Sequence, residues 1–205
     1  MEGLSRYIIA IGSSTGGTEA LSEILPNVRI PTPPIVVVQH MPPVFSKLFA
    51  TRLDSICDLQ VKEAEEGDHL TPSTVYIAKG GMHMKIAREE RSPRLYLTLT
   101  MEEHINWVRP SADPLFYTVA DYFGANALGI LLTGMGSDGS RGLLAMRRRG
   151  AETVGQDEAT SVVYGMPKAA FEIGAVGEQL PLPKIADRIN AYAARCAKIK
   201  EALIK

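Results

Sequence analysis

The sequence is short of several features that would place it quickly. Only two of its 205 residues are cysteine, Cys57 and Cys196, and neither belongs to a Cys-x-x-Cys pair. A disulfide framework and a thiolate zinc site both lack the residues they need. Two scattered thiols fit a reducing compartment. No run approaches the roughly 18 consecutive apolar residues of a membrane span. The segment Met1–Arg6 lacks the ordered charged and apolar regions of a signal peptide, and the apolar run at 7–11 is too short to supply one. A cytoplasmic protein without membrane insertion is expected. Charge of one sign is missing too: 22 basic residues face 23 acidic ones, for a net charge of −1. Nucleic-acid binders usually carry a marked basic excess, so no nucleic-acid partner is expected. There is no internal repeat and no low-complexity linker.

The chain does have apolar content, 45% of its residues. At this length that suits a single domain over 1–205 with a sizeable core. Residues 7–11 (Tyr-Ile-Ile-Ala-Ile), 35–38 (Ile-Val-Val-Val) and 128–132 (Leu-Gly-Ile-Leu-Leu) are continuous apolar runs, as strands buried on both faces of a parallel sheet require. Helical patterns occupy about 18–24, 45–57, 114–123, 140–149 and 184–203. In the second, Phe45, Leu48, Phe49, Leu53 and Ile56 form the apolar stripe; in the last, Ile185, Ile189, Tyr192, Cys196 and Ile199 do. Between them, 75–78, 82–87 and 95–99 read as short alternating strands, hence antiparallel hairpins at a sheet edge. The alternation of strand and helix predicts an α/β fold: a three-layer α/β/α sandwich with a mostly parallel, doubly wound sheet and an antiparallel hairpin insertion. Sites on such sheets lie beyond the carboxyl ends of the strands.

Three strand ends carry chemistry. The first runs into Gly12-Ser13-Ser14-Thr15-Gly16-Gly17, a G-x-S-x-G turn between a strand and a helix, with Ser14 at its centre. The following helix N-terminus favours developing negative charge. A phosphate-binding loop is the alternative, but neither the dinucleotide nor the Walker pattern is met. The second strand runs into Gln39-His40-Met41-Pro42-Pro43. A serine needs a base to take its proton and return it to the leaving group, and His40 stands where one would be; a histidine satisfied at a strand end is the alternative. The third strand runs into Thr133-Gly134-Met135-Gly136-Ser137-Asp138-Gly139. Asp138 suits either the carboxylate that orients a histidine or an N-cap for the next helix. The amides of Thr15 and Met135 are candidate oxyanion donors. His69, His83 and His104 show no metal-ligand spacing, and the acidic stretch Glu63, Glu65, Glu66, Asp68 reads as a solvated loop. Arg147, Arg148 and Arg149 close a helix, where cations complement the dipole; an anion site is the other reading.

These segments resemble the bacterial chemotaxis protein-glutamate methylesterases, the CheB family. The serine segment 9–20, the histidine segment 39–43 and the aspartate segment 132–139 are similar to the corresponding family blocks and stand in the family's order. So do Arg109-Pro110-Ser111-Ala112-Asp113 and Tyr164-Gly165-Met166-Pro167. The resemblance runs from about residue 7 to 180. It implies a serine hydrolase that removes methyl groups from glutamate γ-methyl esters on chemoreceptor helices and releases methanol. In many members it also implies deamidation of receptor glutamines. Ser14 would be the nucleophile, His40 the general base and acid, and Asp138 the orienting carboxylate, with no metal or organic cofactor. Expected partners are the methylated cytoplasmic helices of chemoreceptors and a receiver domain or other regulator in trans. The family's usual N-terminal receiver domain is not expected here, because the nucleophile strand starts at residue 7. Ser13 stands where alanine is usual, and Val44 where a small residue is usual. The rival functions are a serine hydrolase of other small or protein esters, and a non-catalytic regulatory, anion-binding module.

Overall fold

In the computed structural model of the chain, which describes residues 2–90 and 92–203, the doubly apolar runs are interior strands. β1 (Ile8–Ser13) leads into α1 (Gly17–Ile24), then β2 (Ile35–Gln39) and α2 (Pro43–Asp54). β3 (Gln60–Glu63) and β4 (Thr74–Ile77) follow, then a hairpin of β5 (His83–Arg88) and β6 (Leu95–Thr100). α3 (Ala112–Phe123) returns the chain to β7 (Ala127–Leu131), followed by α4 (Ser140–Arg148) and β8 (Glu152–Gln156). α5 (Met166–Glu172), β9 (Glu178–Leu180) and α6 (Leu182–Leu203) complete the order.

Seven strands form one parallel sheet in the order β3-β4-β2-β1-β7-β8-β9. β1 is central, and the chain winds outward from it first on one side and then on the other. Its side chains alternate between two cores: Ile9 and Ile11 join Leu21, Ile24, Leu53 and Ile189 on one face, while Ile8 and Ala10 join Phe116, Val119, Leu143 and Met146 on the other. Each residue is therefore buried whichever way it points, which is why the run is continuous rather than alternating. α1, α2 and α6 cover one face; α3, α4 and α5 cover the other together with the hairpin, whose Met84, Ile86 and Leu97 reach the second core. The doubly wound three-layer sandwich is as the sequence predicts.

Several local expectations change. The 75–78 run is not part of an antiparallel hairpin: β4 pairs parallel with both β2 and β3, and all its residues are buried. β5 and β6 do form the expected antiparallel hairpin. Glu63 lies on strand β3 rather than in a loop, paired with Ile77 of β4, and its carboxylate accepts the Ser46 hydroxyl at 2.5 Å. The α2 stripe is rotated: Ser46, Phe49, Ala50 and Leu53 face the core, while Phe45, Leu48 and Ile56 are exposed. Ser46 takes the inward position because it also receives the Gly80 N–H. In α6, Ile185, Ile189, Tyr192 and Cys196 are buried as expected; the Ile199 side chain lies outside the described residues. Arg147 donates to the Gly174 and Val176 carbonyls and Arg149 pairs with Asp121, so these two cations stitch a helix end to its neighbours. Among the described residues no helix is long and apolar enough to cross a membrane.

Candidate active site

The register of the central strands brings the predicted residues together. β1 and β2 pair Ser13 with Gln39, and β1 and β7 pair Gly12 with Leu131. Backbone bonds extend the alignment past the strand ends, from His40 N–H to Ser13 O (3.1 Å) and from Ser14 N–H to Thr133 O (3.0 Å). Ser14 and His40 thus leave adjacent strands side by side, at the point where the winding reverses, which is where open α/β sheets place their ligands.

The two neighbouring serines face different ways. Ser13 is buried and donates its hydroxyl to Gln39 Oε1 at 2.6 Å. Ser14 is partly exposed in the turn. Gln39 ties that turn down, since its Nε2 donates to the Ser14 carbonyl (2.9 Å) and to the His40 carbonyl (3.1 Å). Two glycines are sterically required. A Cβ on Gly17 would lie 2.0 Å from Gln39 Oε1, and one on Gly134 would lie 2.7 Å from the Ser14 Cβ.

His40 Nε2 is 2.7 Å from Asp138 Oδ2, with only 11% of the His40 side chain and 3% of the Asp138 side chain exposed. Next to an ionised carboxylate Nε2 carries the proton, so the lone pair sits on Nδ1. Asp138 receives three more donors: Ala112 N–H on Oδ2 (2.7 Å), and on Oδ1 the Ser111 hydroxyl (2.5 Å) and Asn106 Nδ2 (2.7 Å). Burial by itself would raise this acid's pKa. The bonds from His40, Ser111, Ala112 and Asn106 outweigh burial and hold it below the usual carboxylate range. The helix-cap reading of Asp138 is not met: Gly139 is the N-cap of α4, without a side-chain cap bond. The carboxylate that reaches the first turn of α4 is Asp113, which accepts Gly142 N–H at 2.7 Å. Asp113 is itself buried, and desolvation, with the Asp138 charge adding to it, pushes its pKa up against the bonds from Gly142 and Asn106.

Among the described residues, Thr15 N–H and Met135 N–H bond to no acceptor within the chain, so both remain available to a ligand. The loop that carries Met135 is anchored behind by Thr133, whose hydroxyl donates to the Thr15 carbonyl at 2.9 Å and whose N–H donates to Gln156 Oε1 at 2.8 Å. Met135 itself is 76% exposed. Ser14 Oγ and His40 are not hydrogen-bonded to each other; in serine hydrolases such bonds often tighten only in the substrate complex.

Sequence reasoning passed over Gln39, Asn106, Ser111 and Asp113 as individuals, although three of them lie inside segments it singled out. His83 has a structural place. Its Nδ1 accepts the Ser111 N–H (3.2 Å), its Nε2 faces the Glu103 carbonyl (2.9 Å), and burial lowers its pKa.

The fold and these side chains define a class: doubly wound α/β domains whose strand-end turns at the topological switch point carry a serine and a hydrogen-bonded histidine–aspartate pair. Within that class the chain belongs to the CheB methylesterase family, whose model matches residues 9–189. It is 51% identical over 183 residues to the protein-glutamate methylesterase/protein-glutamine glutaminase of Gluconobacter oxydans, a match covering 89% of this chain and 52% of that one. A relative of the same description from Rhodospirillum rubrum is 50% identical over 182 residues, covering 89% and 50%. The crystal structure of the Thermotoga maritima CheB methylesterase catalytic domain superposes with a TM-score of 0.87 at 40% identity, covering 90% of this chain and 97% of that one. The chain spans about half the length of the curated relatives it matches.

Proposed function

We propose that the chain hydrolyses γ-methyl esters of protein glutamates, releasing methanol, with Ser14 as nucleophile, His40 as base and acid, and Asp138 as the orienting carboxylate. The observation that carries this reading is the His40–Asp138 bond: Asp138 occupies Nε2, which leaves Nδ1 as the basic nitrogen, on a turn that runs beside the Ser14 turn. As Ser14 Oγ attacks the ester carbonyl, its proton passes to His40 Nδ1, and the cation so formed is stabilised by ionised Asp138. The carbonyl oxygen becomes an oxyanion facing the Thr15 and Met135 amides, each donor typically worth about 10²–10³ in rate. His40 returns the proton to the departing methoxide, which leaves as methanol, and an acyl-Ser14 ester remains. Water then repeats the cycle: His40 takes its proton, the hydroxide attacks, Ser14 leaves reprotonated, and a glutamate carboxylate is freed. An amide passes through the same steps with ammonia as leaving group. The glutaminase half of the relatives' description supports including deamidation.

The substrates we propose are methylated cytoplasmic helices of chemoreceptors, which places the protein in the cytoplasm, with a receiver domain or another regulator as further partner. Each turnover restores a negative charge to a helix surface, where like charges three or four residues apart repel. Methanol release from receptor membranes bearing methyl-esterified glutamates tests the reading. Wild type should release methanol and Ser14→Ala should not. Equal release by both would remove Ser14 from the mechanism, and no release by folded wild type would reject this substrate.

A further inference from the structure

Asp138 is held by more than the backbone that carries it. The segment 105–113 wraps around its carboxylate and supplies three of its four donors: Asn106 Nδ2, Ser111 Oγ and Ala112 N–H. The Ser111 hydroxyl and the Ala112 N–H bind Asp138 alone. Asn106 does something different, because its amide nitrogen is also 2.9 Å from Asp113 Oδ2. A primary amide nitrogen has two hydrogens, and here each meets a separate carboxylate. Asp113 in turn accepts Gly142 N–H from the first turn of α4. The Asp138 loop itself runs into α4. The result is a closed circuit from Asp138 along the chain to Gly142, across to Asp113, through Asn106 and back to Asp138.

The backbone at Asn106 is built for this placement. Ile105 and Val108 exchange both backbone hydrogen bonds, and the two residues between them, Asn106 and Trp107, have φ of 54° and 66°. That is the signature of a two-residue turn with both central residues left-handed. Asparagine tolerates this region better than other residues bearing a Cβ. Behind Asn106 lies a cavity of about 410 Å³ bordered by Lys85, Ile105, Asn106, Asp113, Tyr117 and Arg141. Asn106 borders this space, whereas Asp138 does not.

We propose that Asn106 is a positioning residue: by bridging Asp138 and Asp113 with one neutral amide, it fixes the carboxylate that orients His40 and shields it from water. This rests on the triad reading above. No charged side chain can replace the bridge. A carboxylate at 106 would face two others, and it would donate to only one of them even when protonated. The titratable and charged groups around the pair are His40 from the loop after β2, Lys85 and His83 from β5, Tyr117 from α3 and Arg141 from α4.

The test uses hydrolysis of p-nitrophenyl acetate, a small ester that bypasses the protein substrate, by wild type, S14A, N106A and N106D. Small misplacements in a catalytic constellation cost up to about 10²-fold. N106A should therefore lose about ten- to a hundredfold in kcat with KM little changed. N106D, nearly isosteric, should fold as wild type does, and its activity relative to wild type should fall as pH rises from about 6 to about 8, as the added carboxyl ionises. A purely structural role would give no such pH signature. NMR reads the clamp without turnover: the downfield His40 Nε2–H resonance should persist in S14A and be lost to exchange in N106A. If wild type turns over and S14A does not, wild-type kcat and pH profile in both Asn106 variants overturn the proposal. If S14A hydrolyses the ester as wild type does, the triad reading fails instead. If wild type does not turn over, an unchanged His40 resonance in N106A overturns the proposal and a lost one supports it.

Discussion

Replacing Asp138 by asparagine tests the electrostatics of the site most directly. The carboxylate accepts four donors, two on each oxygen. An asparagine has one acceptor oxygen and one NH₂. With the oxygen in the Oδ2 place, it keeps His40 Nε2–H and Ala112 N–H, but its NH₂ then confronts Asn106 Nδ2; only the Ser111 hydroxyl can turn to accept. With the NH₂ in the Oδ2 place, it opposes Ala112 N–H and drives the His40 proton to Nδ1, where the base is needed. Each orientation leaves at least one buried donor unpaired, at about 1–3 kcal/mol. In neither does a charge stabilise the imidazolium. The loss of such a carboxylate costs about 10⁴ in kcat in triad enzymes, which is about 5.4 kcal/mol of barrier at 1.36 kcal/mol per decade. The assay is kcat for p-nitrophenyl acetate at pH 7 beside a urea unfolding curve. The expected result is a kcat loss of about 10³–10⁴ with a folded protein destabilised by about 1–3 kcal/mol. A variant with kcat within about tenfold of wild type would refute the role given to Asp138.

Ser13→Ala removes the buried 2.6 Å bond to Gln39 but leaves Ser14 in place, so it should cost about 1–3 kcal/mol in urea unfolding and keep kcat within about tenfold. Gly17→Ala drives a methyl into Gln39 Oε1 and frees the Ser14 carbonyl from Gln39; a loss of about 1–3 kcal/mol in stability is expected, with a fall in kcat on the same ester. Asp138 also has a stability signature. Its native pKa lies below its unfolded value, so its contribution is complete above the unfolded pKa, near 3.9, and is lost as pH falls through the lower native value. The stability gap between wild type and Asp138→Asn should therefore be constant near neutral pH and narrow only below about pH 4 in urea titrations.

The parts of this molecule legible from sequence are those in which one physical demand dominates. Strands β1, β2 and β7 are buried on both faces, and each run of apolar residues says so directly. β3 and β9 are edge strands with exposed, polar positions, and their sequences carry no comparable signal. In α2, Phe45 and Leu48 satisfy a helical period while pointing outward, because a period fixes that residues share a face and not which way the face turns. At the site, Ser14, His40 and Asp138 stand out because each follows a buried strand on a tight turn. Asn106 has no such context. Its partners are 7 and 32 residues away, and only the folded hairpin brings it to both.

The order in which the sheet is laid down has a consequence for the cell. Ser14 and His40 come from strands neighbouring in sequence, but Asp138 lies 98 residues beyond His40 and arrives only with β7, on the opposite side of β1. During synthesis Ser14 and His40 are therefore made long before the carboxylate that holds the His40 ring. A chain ending before β7 carries Ser14 and His40 but lacks the carboxylate that holds the His40 ring, so the pair is completed only when the central sheet is closed on both sides of β1.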